Sequence, residues 1–285
     1  MPDITLSSGT VEYRDEGAGA PVVLVHGLLV NGRVWERLVP ALAGSARCIV
    51  PDLPLGSHRR PMQPDADLSP TGLATLIAEV IERLELDDVT LVGNDTGGAL
   101  CQLVSAHHPE RIGRLVLTNC DSFEHFPPPA FRLVIAGLAR VPGAVAALDL
   151  LGRSRRMRKA TMSLAPLTVE PPDDGLLKEW VSALHDRRVR RDLVQVLRGV
   201  APSYTLEAAE KLRGFDRPAL IVWGMRDRFF PFSDAERLAE TLPQARVERI
   251  ENARTFVQLD APERLAELIG AFMASGDQSR EISPT

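Results

Sequence analysis

Apolar residues follow two rhythms along this chain. Short unbroken runs, Val22-Val23-Leu24-Val25, Cys48-Ile49-Val50, Val89-Thr90-Leu91-Val92 and Leu115-Val116-Leu117, alternate with longer stretches such as Pro70 to Leu84, where apolar side chains return at helical spacing. Runs without polar alternation are strands buried on both faces, so the pattern predicts an α/β fold, a mostly parallel, doubly wound sheet with helices on each side. Ile4 to Leu6 and Val11 to Tyr13 alternate and predict an edge hairpin; a helix is expected near Val34 to Leu42. From about Ser122 to Arg213 no strand candidate appears. That stretch carries prolines and helical periodicity near Leu133 to Leu151, Leu176 to Leu184 and Leu193 to Val200. Residues 122–213 are therefore expected to form a helical cap inserted into a core of residues 1–121 and 214–285. The α/β rhythm resumes with Ala219 to Trp223, a helix near Ser233 to Thr241, Arg246 to Ile250 and a closing helix from Pro262 to about Met273.

Composition narrows the class. The chain has 285 residues, 45% hydrophobic and 25% charged, which suits one α/β domain with an insertion. No apolar run approaches the roughly 20 residues of a membrane helix, and Met1-Pro2-Asp3 lacks the basic start of a signal peptide, so a soluble cytoplasmic protein is expected, with no membrane partner. Cys48, Cys101 and Cys120 sit in apolar contexts without metal-ligand spacing; buried thiols are expected, and no metal, disulfide or cofactor. The net charge of −5 hides an asymmetry, because residues 151–200 hold eleven Arg or Lys against six Asp or Glu, clustered at 153–159 and 187–191. Those clusters read either as the solvated face of cap helices or as a positive rim steering an anionic substrate or acidic carrier. A net-acidic chain without aromatic platforms gives no footprint for nucleic acid. Oligomeric state is not legible from one chain.

The chemistry concentrates at Val92-Gly93-Asn94-Asp95-Thr96-Gly97-Gly98-Ala99, an apolar strand that breaks at a glycine-flanked Asp and runs into a helix. This is the strand-turn-helix of a nucleophile elbow with a carboxylate in the nucleophile's place. Other candidates fall at strand ends, where open α/β sheets gather ligands. His26-Gly27-Leu28-Leu29 follows the first buried strand, which positions the Leu28 and Thr96 amides as an oxyanion hole. Trp223-Gly224-Met225-Arg226-Asp227 puts Asp227 at the end of the strand after the cap, and Asn119-Cys120-Asp121 puts Asp121 at the end of the strand before it.

In that order, HG turn, elbow, cap, GxxD, final loop and helix, the chain resembles the α/β-hydrolase superfamily over roughly 20–122 and 217–275. The elbow Asp resembles the haloalkane dehalogenase and epoxide hydrolase branch. That resemblance implies Asp95 as a nucleophile forming an ester with substrate, Asp227 as the acid that orients a His, and Asp121 as the alternative acid position. The final loop departs from it: Ala253-Arg254-Thr255-Phe256 stands where the branch usually has A-G-H-F, so Thr255 takes the His position and Arg254 the Gly. Neither a guanidinium nor a threonine hydroxyl serves as a general base near neutral pH. Thr96 and Leu28 also stand where dehalogenases carry halide-binding Trp and Asn, and Leu29 replaces the Pro of the epoxide hydrolase HGxP. His58, in the loop Pro54 to His58 after a strand, is the best placed substitute imidazole; His26 reads as structural.

Three readings stay open. The leading one is a hydrolase acting through Asp95 on a small, largely apolar organic molecule. The second is non-hydrolytic acid/base chemistry, an isomerase, lyase or cyclase in which clustered carboxylates raise one pKa, or in which Arg254 neutralises Asp227. The third is a ligand-binding protein without turnover.

Overall fold

The computed structural model describes residues 1–161 and 167–281, with side chains described within 1–158 and 167–275. Eight strands form one sheet: β1 (Asp3–Leu6), β2 (Gly9–Gly17), β3 (Ala20–Val25), β4 (Ala46–Pro51), β5 (Val89–Asp95), β6 (Ile112–Cys120), β7 (Ala219–Gly224) and β8 (Ala245–Ile250). Their order across the sheet is β1-β2-β4-β3-β5-β6-β7-β8. The edge pairings β1 with β2 and β2 with β4 are antiparallel and the rest are parallel. Chain direction across the sheet reverses between β3 and β5, paired from Val22↔Thr90 to Val25↔Gly93. The loops leaving these two strands diverge to opposite faces, opening a crevice at their C-terminal ends.

The unbroken apolar runs have a direct cause. Val23, Ile49, Leu91 and Leu115 pack into the core layer on one face of the sheet, while Val22, Leu24, Val50, Val92 and Val116 pack into the layer on the other. With both faces covered, no polar alternation survives.

The helices are α1 (Val39–Leu42), α2 (Pro70–Arg83), α3 (Thr96–His107), then α4 (Arg132–Arg140), α5 (Ala144–Arg153), α6 (Arg155–Thr161), α7 (Asp174–Ser182), α8 (Arg187–Gly199) and α9 (Pro202–Leu212) between β6 and β7, and finally α10 (Phe232–Thr241), α11 (Val257–Asp260) and α12 (Pro262–Glu281). Ser69 caps α2 by accepting from the Gly72 N–H, one residue after which the periodic apolar face begins. Among the described residues from 122 to 213 no strand occurs. Two helix expectations need correction. The segment near Val34 to Leu42 is a 3-10 turn, Gly32–Trp35, followed by α1, because Pro40 must sit in a first helical turn where its missing N–H costs nothing. The stretch Leu133 to Leu151 is two helices, since Pro142 cannot continue α4 and Gly143 turns the chain at φ 80. α9 packs through Ala208, Ala209 and Leu212 into the same core layer as Leu103 of α3. Of the basic cluster at 153–159, Arg153, Arg155 and Arg156 are exposed, but Arg158 is buried against Asp174 at 2.9 Å.

Candidate active site

Asp95 closes β5 and stands immediately before α3 at φ 55, ψ −133, a left-handed backbone that L residues adopt only when their surroundings force it. Here close approach forces it. A methyl group on Gly97 would collide with the Val25 carbonyl, and one on Gly27 would collide with the Asp95 carboxyl, so the β3 and β5 turns interlock only as glycine backbones. The Leu28 N–H donates to Asp95 Oδ2 at 3.1 Å, and the Thr96 N–H also bonds the carboxyl. The two amides that the sequence suggested as an oxyanion hole thus bond the Asp95 carboxyl itself. Burial pushes the Asp95 pKa up to about 6, the Asp227 charge adds to this, and the two N–H groups oppose it.

Asp121 follows β6. Its N–H donates to the Asp95 carbonyl at 3.3 Å, and its Oδ2 accepts from the Thr96 hydroxyl at 3.0 Å. Its Oδ1 is buried and has no hydrogen-bond partner among the described residues. Burial, then the nearby Asp95 charge, raises the Asp121 pKa well above the carboxylate range against the Thr96 bond. Both neighbouring carboxyls are thus pushed toward their protonated forms, and Oδ1 of Asp121 is the oxygen without a partner.

Asp227 is placed differently. Its Oδ1 accepts from the Phe229 and Phe230 N–H groups at 2.7 and 3.1 Å. Its Oδ2 accepts from Asn119 Nδ2 at 2.8 Å and from the Thr255 hydroxyl at 2.9 Å. Burial raises its pKa, and these four bonds work against the rise. Thr255 therefore meets Asp227 where the family resemblance puts an imidazole, but it presents a hydroxyl already committed to the carboxylate. The loop is fixed from behind: Asn94 Nδ2 donates to the Thr255 carbonyl at 2.7 Å, and Gln258 Nε2 donates to Asn94 Oδ1 at 2.8 Å. Arg254 does not serve as the partner of Asp227 that its sequence position suggested; its N–H donates to Asp260 and its Nη1 to the Thr168 carbonyl at 2.9 Å.

A cavity of about 230 Å³ opens above Asp95, Thr96 and Asp121. The remainder of its wall is apolar: Leu28, Leu29 and Phe229 from the core, and from the segment between β6 and β7 Phe126, Phe131, Ile135 and Leu138 of the first half with Leu197 and Val200 of the second. Among the described residues no histidine lines it. His58, expected to border the site, is instead buried with Nε2 at 3.2 Å from Asp192 of α8 and Nδ1 accepting from the Gly56 N–H, and it faces a separate pocket with Arg59 and Glu179. Its partner lies 134 residues away in sequence, which local reading of the loop could not supply. His26 is structural as expected: its Nε2 accepts from the Leu53 N–H at 2.9 Å, and burial lowers its pKa to about 4. His125 pairs with Asp234 at 2.6 Å and His185 lies 3.3 Å from Asp149.

Sequence reasoning missed two things. Asn119 clamps β6 to β7, accepting from the Gly224 N–H at 2.7 Å while donating to Asp227, and its only signal was its place beside Asp121. The apolar wall gave none, since lining residues carry the same periodicity as core residues.

The sequence profile of the alpha/beta hydrolase fold family matches residues 20–262. A haloalkane dehalogenase 2 of Mycobacterium tuberculosis is 26% identical over 269 residues, covering 92% of this chain and 91% of the relative. A cis-3-alkyl-4-alkyloxetan-2-one decarboxylase of Xanthomonas campestris is 30% identical over 283 residues, with 92% of each chain covered. Among solved structures, an epoxide hydrolase superposes with a TM-score of 0.81 at 20% identity, covering 96% of this chain and 98% of that one.

Proposed function

Because the chain belongs to the alpha/beta hydrolase fold family, we propose that it is an enzyme in which the Asp95 carboxylate attacks a carbon of a small apolar organic molecule, and in which the resulting ester is released without an imidazole-activated water. The observation that carries this reading is the pairing of Thr255 with a fully bonded Asp227 beside a cavity that no histidine lines among the described residues. An alkyl ester on Asp95 has no ordinary base for hydrolysis there.

Among the relatives' chemistries, decarboxylation of a strained four-membered lactone fits best, because it consumes no water. Asp95 attacks the saturated ring carbon bonded to the ring oxygen; that carbon–oxygen bond breaks and frees the ring carboxylate. The protonated Asp121, with Oδ1 unpartnered, donates a hydrogen bond to that carboxylate as it forms. The carboxylate then leaves as carbon dioxide, its bonding pair forms the carbon–carbon double bond, and the carbon–Asp95 oxygen bond breaks. Asp95 is restored as the carboxylate, and atoms and charge balance without a proton from solvent. The amides of Leu28 and Thr96 stabilise Asp95 as nucleophile in the first step and as leaving group in the second. An apolar cavity favours both, since decarboxylation disperses charge that water would hold localised.

A hydrolytic reading stays attached to one observation, the free Oδ1 of Asp121: once Asp95 is esterified its charge is gone, Asp121 ionises more readily and can take a proton from water. Single turnover of a dialkyl oxetan-2-one in ¹⁸O-water separates the two. Alkene and carbon dioxide with Asp95 unlabelled are expected. Label in the Asp95 peptide together with a hydroxy acid overturns the water-free reading in favour of hydrolysis, and ligand binding without turnover, unchanged in Asp95→Asn, favours a binding protein.

A further inference from the structure

We infer that the α4–α5 face of the cap docks on an anionic lipid surface, and that the cavity takes its apolar substrate from there. Eight large apolar side chains are conspicuously exposed among the described residues, and six of them fall between 133 and 157: Leu133 (87%), Val134, Val141, Leu150 (66%), Leu151 and Met157. On α5 the inward face is Val145, Leu148, Asp149 and Gly152, yet the outward face is Ala146, Ala147, Leu150 and Leu151, with Arg153 at its end. A surface helix is ordinarily polar on its outer face; one whose outer face is apolar is covered by something. No single described helix is long and apolar enough to cross a membrane, and α4 and α5, though apolar together, meet at a bend of 107° that suits a pair lying on a surface.

The charge pattern selects the occupant. Between 129 and 158 the only acid is Asp149, buried beneath Arg153 and Arg190, whereas Arg132, Arg140, Arg153, Arg155 and Arg156 are exposed around the apolar face. Basic side chains flanking exposed leucines match the boundary between anionic headgroups and acyl chains, where the guanidinium stays wet and the leucine does not. A second copy of the chain is disfavoured, because a two-fold contact through this face would set the same arginines against each other. The patch also runs into the cavity: Val134 is 58% exposed and lines the cavity above Asp95, with Ile135 and Leu138 of the same helix behind it. Molecules small and apolar enough for that cavity concentrate in lipid. This substrate route rests on the reading of the cavity above, while the docking itself does not.

The test is co-sedimentation of the full chain with vesicles of phosphatidylcholine alone or mixed with phosphatidylglycerol, which needs no turnover and so stays informative whatever Asp95 does. Binding to the mixed vesicles is expected at low salt, weakening as salt rises. Leu133→Asp and Leu150→Asp should each lower partitioning by about ten-fold, the loss of one buried leucine, and Arg140→Gln or Arg156→Gln by about five-fold. These positions are exposed, so folding is not at stake, and circular dichroism checks it. Absence of binding to the anionic vesicles, equal binding to neutral ones, or indifference to the leucine substitutions overturns the proposal. A mass in solution that doubles and is halved by Leu133→Asp would assign the face to a second copy instead.

Discussion

Asp95 should make the protein less stable at the pH where it works, and Asp95→Asn tests this. The carboxyl titrates at about 6 in the folded chain against 3.8 when solvated. An acid whose pKa is raised by folding stabilises the fold only while protonated. Its contribution is complete below the unfolded value and is lost as pH rises through the folded one. Two pH units correspond to up to about 3 kcal/mol, an upper figure because water in the cavity screens part of it. Asparagine keeps an oxygen for the Leu28 N–H and never ionises. The variant should match the wild type near pH 3, gain about 1 kcal/mol by about pH 4.5, and reach its full advantage of about 2–3 kcal/mol above pH 7. In a chain of 285 residues that is roughly a 3–5 °C rise in Tm. Urea unfolding of both proteins across that range measures it, with loss of turnover expected in the variant at every pH. A variant less stable than the wild type at pH 8, or a difference that does not change with pH, would show that Asp95 is not a desolvated carboxylate and would remove the physical basis of its reactivity.

The rate of Asp95 attack in single turnover should rise through about pH 6, because only the ionised carboxylate is a nucleophile; a profile flat from pH 5 to 8 contradicts that assignment. Thr255→His restores an imidazole next to Asp227 Oδ2, so it should open a hydrolytic route, read as ¹⁸O appearing in Asp95 where the wild type shows none. His58→Ala should leave single-turnover chemistry unchanged yet cost about 1–3 kcal/mol in urea unfolding, since it strips a bond from buried Asp192. Gly97→Ala should leave little folded protein on expression, because its methyl meets the Val25 carbonyl at the elbow.

The strands, their parallel pairing and the elbow at Asp95 follow from the sequence alone, because burial on both faces writes itself as unbroken apolar runs and because backbones that nearly touch require glycine. So does the absence of a base at Thr255, which is a matter of residue identity. Folding decided the rest through contacts that no local pattern encodes. His58 is bound to Asp192 on a helix 134 residues away and faces another pocket. Arg254 turns to Asp260 and Thr168, away from Asp227. Asp121 is left with one oxygen unpaired beside Asp95, a difference from Asp227 that comes only from which N–H groups each carboxylate reaches. Outward Leu133 and inward Leu138 lie on one helix and read alike in sequence; only the packing of the segment between β6 and β7 separates the side chain that covers the cavity from the one that faces out. Residue type sets what a group can do, and tertiary contacts set its solvation, its partners and therefore its charge.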